Sequence, residues 1–292
     1  MFKSIFLEII TFLLKRLDLS QISKLGKFVG LLIWYFVPSR RTLAIKNIKM
    51  HLNKTEKEAR QLAFRNFLNT GRSFVEIFYN LKVDFRFLHK YVSIENREIL
   101  EQIRNTSRPV VAVTAHLGAW ELLSGLMAVF FYNKKPTQIV IREPDDDVIN
   151  DIVKRLRSNY IHEILPRDNS ALKISSCLKK GGICAFLVDH NCGRRKAVFL
   201  PFLREIAAVN FGPALMAIRT RALVFPIFLV RIHNLNYKMY VHKPLDVNEL
   251  KGDMKTKIKY VCEFYTKTVE KMVYKYPDQW YWMHNRWRTK PK

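Results

Sequence analysis

The chain has 292 residues, 49% of them hydrophobic, which is ample for a packed core in one large or two small domains and excludes wholesale disorder. It has 50 Lys and Arg against 25 Asp and Glu, a net charge of +25, so the partners expected are polyanions or an anionic surface. The four cysteines, Cys177, Cys184, Cys192 and Cys262, form neither a C-x-x-C pair nor a ladder of short spacings, which argues against a zinc site or a disulfide framework and fits a reducing compartment.

Two apolar runs open the chain, at 4–14 and 28–37. As helices they reach only ~15 Å, against a hydrocarbon layer of roughly 30 Å, so neither spans a bilayer. Lys15 and Arg16 close the first run without a small-residue cleavage site, which argues against a removable signal peptide. Lys3, Lys24, Lys27, Arg40 and Arg41 add positive charge around the runs, and Trp34 and Tyr35 favour a headgroup boundary. The expectation is an interfacial anchor on anionic lipid. The competing reading buries both runs against the main domain.

Residues 40–80 read as helical, with Thr55-Glu56-Lys57-Glu58 as a capping box ahead of the periodic positions Ala59, Leu62, Ala63, Asn66, Phe67 and Thr70. From about residue 91 the period changes. Apolar runs of strand length at 110–114, 138–141, 183–188 and 223–230 alternate with helical stretches at 118–132, 145–159, 169–180 and 253–275. Gly181-Gly182 supplies a stop signal after the third of these helices. The pattern predicts an α/β fold: a mixed sheet flanked by helices behind a helical amino terminus. No repeat or low-complexity linker intervenes, so an anchoring segment 1–38 and a catalytic region 39–292 are expected to form one unit.

The strand at Val110–Thr114 delivers His116 to the carboxyl edge of the sheet, where functional residues gather. Gly118 permits a tight turn, and Glu121 follows His116 by five residues. On one continuous helix that spacing sets two side chains about 140° apart, so they meet only if His116 lies in the turn and Glu121 in the first helical turn. There the carboxylate orients one imidazole nitrogen while the other faces substrate, a base and its orienter, with helix-start amides available to an oxyanion. The same residues also fit a core histidine capping a helix. Asp189-His190 suggests a metal, as does Asp145-Asp146-Asp147, but no further ligand spacing supports the first and the second reads as a dipole-favouring helix start. Trp280, Trp282 and Trp287, interleaved with basic residues, fit a nucleic-acid stacking platform, a membrane contact or a buried tail equally well.

Eight segments in order resemble the late acyltransferases of lipid A biosynthesis, which are related to the glycerolipid acyltransferases. They are Tyr35 to Asn47, Ala115 to Glu121 with its His-x4-acid motif, Ile141-Arg142, and Arg155 to Asn159. Phe186 to Gly193 with an Asp-x3-Gly turn, Val198 to Phe202, and Gly212 to Thr220 follow, and the closing tail Trp282 to Pro291 completes the match. Arg204 and Arg221 depart from the pattern, standing where the resemblance leads one to expect glycine and adding positive charge near the site.

The resemblance implies transfer of a fatty acyl group from the thioester of acyl carrier protein, or of acyl-CoA, to a hydroxyl of an anionic lipid A precursor at the cytoplasmic face of the cell inner membrane. A phosphatidylinositol mannoside or another glycolipid is the alternative acceptor. His116 is implied as general base and Glu121 as its orienting partner, with Arg142, Arg157, Asp189, Gly193 and Arg219 as substrate-binding residues. From the residues alone, Arg142 also fits a surface position after a strand, Asp189 plain turn capping, and Arg157 with Asn159 a solvated basic face. No metal or redox cofactor is called for. A nucleic-acid-binding role has no helix-turn-helix, zinc-finger or RNA-motif signature behind it.

Overall fold

In a computed structural model that describes residues 2–157, 163–233 and 235–291, the amino-terminal third is helical: α1 Phe2–Arg16, α2 Leu19–Phe36, α3 Pro38–Leu52 and α4 Glu56–Glu76. The capping box at Thr55 is formed, with its side chain accepting from the Glu58 amide and the Glu58 carboxylate accepting from the Thr55 amide. Four-residue spacing of Ile22, Gly26, Gly30 and Trp34 makes one buried face of α2. That face crosses α4 backbone to backbone, because a Cβ on Gly30 or Gly71 would collide with the main chain of the facing helix. Trp34 closes the crossing edge-on against Phe64 and Phe67, with centroids at 5.3 and 5.1 Å.

Away from this contact both amino-terminal helices show apolar residues to solvent. Ile5, Phe6, Ile9, Phe12 and Leu13 form a stripe on α1, and Phe28, Leu32, Tyr35 and Phe36 form one on α2. No helix among the described residues is long and apolar enough to cross a membrane. The two sequence readings of these runs thus divide between the faces of α2, one packed on the protein and one open.

The remainder comprises α5 Phe85–Tyr91, β1 Val92–Glu95, α6 Arg97–Asn105, β2 Val110–Thr114, α7 Trp120–Phe131, β3 Thr137–Ile141, α8 Asp147–Arg157 and β4 Glu163–Pro166. Then come α9 Ala171–Lys179, β5 Ile183–Leu187, β6 Ala197–Phe202, β7 Glu205–Asn210, α10 Gly212–Thr220, β8 Leu223–Arg231, β9 Tyr237–Val241, β10 Leu245–Asp246 and α11 Met254–Lys275. The main sheet runs β1-β9-β8-β2-β5-β3-β4, with β10 also on β8, while β6 and β7 form a separate hairpin. Pairing is parallel except where β8 meets β9 and β10, so the sheet is mixed and flanked by helices, as expected.

Alternation along β2 sends Val111 and Val113 into one core with α3, α4, α11 and the tail, and Val110 and Ala112 into another with α5, α6 and α7. With both faces covered, the central strands are apolar over most of their length, which is why the sequence shows them as apolar runs. The four cysteines are buried free thiols.

Candidate active site

The turn between β2 and α7 is fastened at each amide from His116 to Ala119. His116 N–H donates to Asp189 Oδ2 at 2.9 Å, Leu117 N–H to Ala115 O at 2.7 Å, Gly118 N–H to Gln279 O at 2.9 Å and Ala119 N–H to Leu229 O at 2.7 Å. Two carbonyls are also held: His116 O accepts from Tyr281 N–H at 2.9 Å and Gly118 O from the Ser73 hydroxyl at 2.8 Å. Gly118 sits at φ 65°, with β8 so close that a Cβ would strike the Leu229 carbonyl, so the turn requires glycine there. The carboxy-terminal tail thus acts as a strap across the turn. Asn66 and Asn47 fix it in place, donating to Asp278 O and Trp282 O at 3.1 Å each.

Strand order supplies the partner of His116. β2 and β5 are parallel neighbours with Thr114 opposite Leu187, and two residues further along each strand stand His116 and Asp189. Asp189 Oδ1 lies 2.9 Å from His116 Nδ1, while Oδ2 accepts from the Trp280 indole at 2.8 Å as well as from the His116 amide. An ionised carboxylate only accepts, so Nδ1 carries the proton and the neutral ring keeps its lone pair at Nε2. Burial works against the imidazolium, but the adjacent Asp189 outweighs it and raises the His116 pKa above the ordinary histidine value. Burial likewise opposes ionisation of Asp189, and His116 with the converging N–H donors overcomes it, holding that carboxyl well below the usual range.

The expected pairing of His116 with Glu121 is therefore corrected. Glu121 does begin α7, but its two oxygens face Arg157 on α8, accepting from Nε at 2.9 Å and Nη2 at 2.6 Å, and Oε1 also accepts from the Trp120 indole at 3.2 Å. The bidentate geometry matches a planar guanidinium to a carboxylate. Burial would lower the Arg157 pKa, and Glu121 outweighs it and raises it. Arg157 lines the cleft as expected, yet its charge is committed to Glu121 rather than free for substrate. Asp189, expected among the substrate contacts, is instead the group on His116.

Above the His116–Asp189 pair opens a cleft of about 1160 Å³. Arg142, just past the end of β3, is exposed in it and forms no ion pair among the described residues, while Arg167, Arg194, Arg195 and Lys196 add positive charge along the lining. Gly193 also lines the cleft, at φ −70° and ψ 153°, a conformation any residue adopts, and a Cβ there would meet nothing. Arg219 is not brought to the cleft. Phe211, Pro213 and Met216 at the start of α10 line it, whereas Arg219 is exposed in the last helical turn, about 10 Å along the axis, where a cation suits the dipole.

The two departures from the family pattern, Arg204 and Arg221, are likewise exposed and outside the cleft lining, the first in the β6–β7 turn and the second at φ 54° as the C-cap of α10. Asn159 lies outside the described residues. Trp280, Trp282 and Trp287 are at most 5% exposed, so the aromatic tail is core and not a stacking platform.

The strands that end in His116 and Asp189 were both visible in the sequence, but their adjacency was not. β5 inserts between β2 and β3, pairing residues 73 apart, and only two strand-terminal polar residues following equal apolar runs hinted at it.

Residues 3–289 match the family described as bacterial lipid A biosynthesis acyltransferase. The lipid A biosynthesis lauroyltransferase of Escherichia coli (strain K12) is 24% identical over 288 residues, covering 97% of this chain and 90% of that protein. The lipid A biosynthesis palmitoleoyltransferase of the same organism is 23% identical over 270 residues, covering 91% and 85%. Among solved structures, the crystal structure of the 1-acyl-sn-glycerophosphate (LPA) acyltransferase of Thermotoga maritima aligns with 84% of this chain and 97% of that one, at 11% identity and a TM-score of 0.38.

Proposed function

Because the chain belongs to the bacterial lipid A biosynthesis acyltransferases, we propose that it moves a fatty acyl chain from the thioester of acyl carrier protein to a hydroxyl of a lipid A precursor, with His116 as general base. The observation behind this reading is the His116–Asp189 pair on the floor of a large, cation-lined cleft. The acceptor hydroxyl oxygen attacks the thioester carbonyl carbon as His116 Nε2 takes its proton. The tetrahedral intermediate then collapses, the C–S bond breaks, and the thiolate leaves with the proton held by His116, so that ester and thiol are the products. Asp189 keeps the ring in the reactive tautomer and favours the imidazolium while it exists. A base so placed contributes roughly 10²- to 10⁴-fold, or about 3 to 5 kcal/mol of barrier.

Arg142, exposed in the cleft, suits a phosphate of the acceptor, which a guanidinium binds bidentately. A small apolar pocket of about 50 Å³ lies between the sheet and α7, lined by Leu123 and Met127 and sharing Trp120, Val140 and Phe186 with the cleft, and offers room for only a short stretch of an acyl chain.

Residues 1–38 serve as the membrane-contacting unit in this reading. Their outward apolar stripes, bordered by Lys15, Arg16, Lys24 and Lys27, suit a helix pair lying in the interface of the inner membrane's cytoplasmic leaflet. Flotation with anionic vesicles, and not with neutral ones, is the expected result.

The function is tested by mass spectrometry of lipid A from cells lacking the protein, complemented with wild type or His116→Ala. Wild type restores one acyl chain's mass to lipid A. A folded His116→Ala protein that restores it equally well removes His116 from the chemistry, and an unchanged lipid A in the deletion strain removes the acceptor.

A further inference from the structure

The cleft holds a second imidazole that acyl transfer by His116 leaves unused. His284, in the tail just past Trp282, lines the cleft together with His116 and Asp189. Its Nε2 accepts a hydrogen bond from the backbone N–H of Asn191 at 2.9 Å. A backbone amide only donates, so Nε2 must present its lone pair, and the neutral ring then has its proton on Nδ1. The tautomer is fixed by the main chain rather than by a titratable neighbour.

Both sides of this contact are braced. His284 O accepts from Asn47 Nδ2 at 3.2 Å. Asn191 is tied twice to Thr289, donating from Nδ2 to its hydroxyl at 3.0 Å and accepting on Oδ1 from its amide at 3.2 Å. Burial lowers the His284 pKa to about 4, an effect that Asp189 opposes and that His116, Arg286 and Arg40 reinforce, so the ring is neutral at physiological pH. Nδ1 has no hydrogen-bond partner among the described residues.

Acyl transfer needs a donor at this place. When the hydroxyl oxygen bonds to the thioester carbon, the C=O π pair moves onto the carbonyl oxygen, and that negative charge requires N–H or O–H groups aimed at it. The donors of the His116 turn and its strap are already engaged. The four amides from His116 to Ala119 are bonded within the protein, and the Trp280 indole donates to Asp189. His116 is accepting a proton at that moment, and Asp189 has the wrong charge.

We propose that His284, through Nδ1–H, donates the hydrogen bond that stabilises the oxyanion formed on the thioester carbonyl. It keeps its proton throughout, and the C=O re-forms as the C–S bond pair departs with the thiol. This assignment rests on His116 being the base, and two experiments separate the two ideas.

In detergent-solubilised wild-type enzyme with labelled histidine, long-range ¹H–¹⁵N NMR should show the His284 ring as the Nδ1–H tautomer, without titration between about pH 5.5 and 9. An Nε2–H tautomer or a titrating imidazolium overturns the proposal without touching His116. In kinetics, His284→Ala should lower kcat by about 10²- to 10³-fold, with KM for both substrates within a few-fold and the acid limb of the pH profile unmoved. His284→Gln, which can place an amide N–H near the same point, should recover part of the loss. A folded His284→Ala enzyme with kcat within a few-fold of wild type, or one whose loss falls wholly in KM, also overturns it. Turnover retained by His116→Ala instead defeats the underlying reading.

Discussion

Two buried carboxylates lie on opposite sides of the same turn, each against a nitrogen base. Glu76, on α4, meets Arg231 at the end of β8 in an ion pair whose side chains are 0% and 3% exposed. Tyr237 donates to Glu76 at 3.2 Å, and Arg231 Nη2 donates to Ser73 Oγ at 2.8 Å. Asp189 is nearly as buried, at 3% exposed, but 31% of the His116 side chain opens onto the cleft. The first pair is sealed from solvent. The second has one wet end and a base whose pKa the neighbouring carboxylate raises. The same physics of a buried carboxylate thus supports two uses, fixed geometry in one place and proton transfer in the other, and access to solvent makes the difference.

The largest effect should follow from neutralising the open pair. An Asn at 189 still accepts from the His116 and Trp280 N–H groups through its oxygen and turns its amide N–H toward His116 Nδ1, which must then accept. The ring proton moves to Nε2, where the base is needed, so Asp189→Asn should lower kcat by about 10²- to 10⁴-fold with little change in the unfolding midpoint. The pH profile gives the sign independently. His116 works as the neutral ring, so activity rises with pH through its pKa, and Asp189 raises that pKa. Removing the charge should therefore move the acid limb of kcat/KM to lower pH while the plateau falls. An acid limb that stays in place shows that Asp189 is not coupled to the titrating base.

This pairing also marks the boundary of what the sequence makes legible. The four apolar runs that form β2, β3, β5 and β8 are central strands, buried on both faces, and hydrophobicity alone exposes them. β1 and β4 lie at the sheet edges and are half-exposed, so they lack that signature. The strands of the β6–β7 hairpin are partly exposed along their length, so they too lack the signature of a buried run. His116 was identifiable as a strand-end residue, but its nearest acid in sequence, Glu121, proved to be engaged elsewhere. Sequence distance stands in for spatial distance within a turn or helix. It fails across a parallel sheet, where register decides and strand order is set by long-range packing.

Breaking the sealed pair should cost stability. Glu76→Ala leaves Arg231 charged and buried without its partner, a defect worth about 3 to 5 kcal/mol, readable as a lower denaturant midpoint in detergent. Glu76→Met combined with Arg231→Met should recover much of that loss, since no orphan charge then remains. A double variant as unstable as the single one shows that the site depends on charge itself and not on avoiding an unpaired one.

Glu121→Gln tests the pair between these extremes. Arg157 is only 17% exposed, so it loses a bidentate partner in a partly wet site. Activity should fall on the order of tenfold, by hydrogen-bond loss of about 1.5 kcal/mol, while the acid limb of the pH profile moves to lower pH by less than with Asp189→Asn, because Glu121 raises the His116 pKa less than Asp189 does. A shift of that limb as large as the one produced by Asp189→Asn would transfer the orienting role back to Glu121.

The smallest effect probes a hydroxyl link between the two buried carboxylate sites. Ser73 Oγ receives Arg231 and donates to Gly118 O, joining the sealed pair to the turn that holds His116. Ser73→Ala removes both bonds, at a cost of about 1 to 3 kcal/mol of stability for the buried groups left unpaired. If the sealed pair acts only as a structural peg, the activity of the folded fraction should change no more than a few-fold, and a double-mutant cycle with Asp189→Asn should be additive within about 0.5 kcal/mol. A larger coupling in kcat would mean that position at Gly118 is transmitted to the imidazole, so that the sealed carboxylate tunes the open one through a hydroxyl and a single peptide unit.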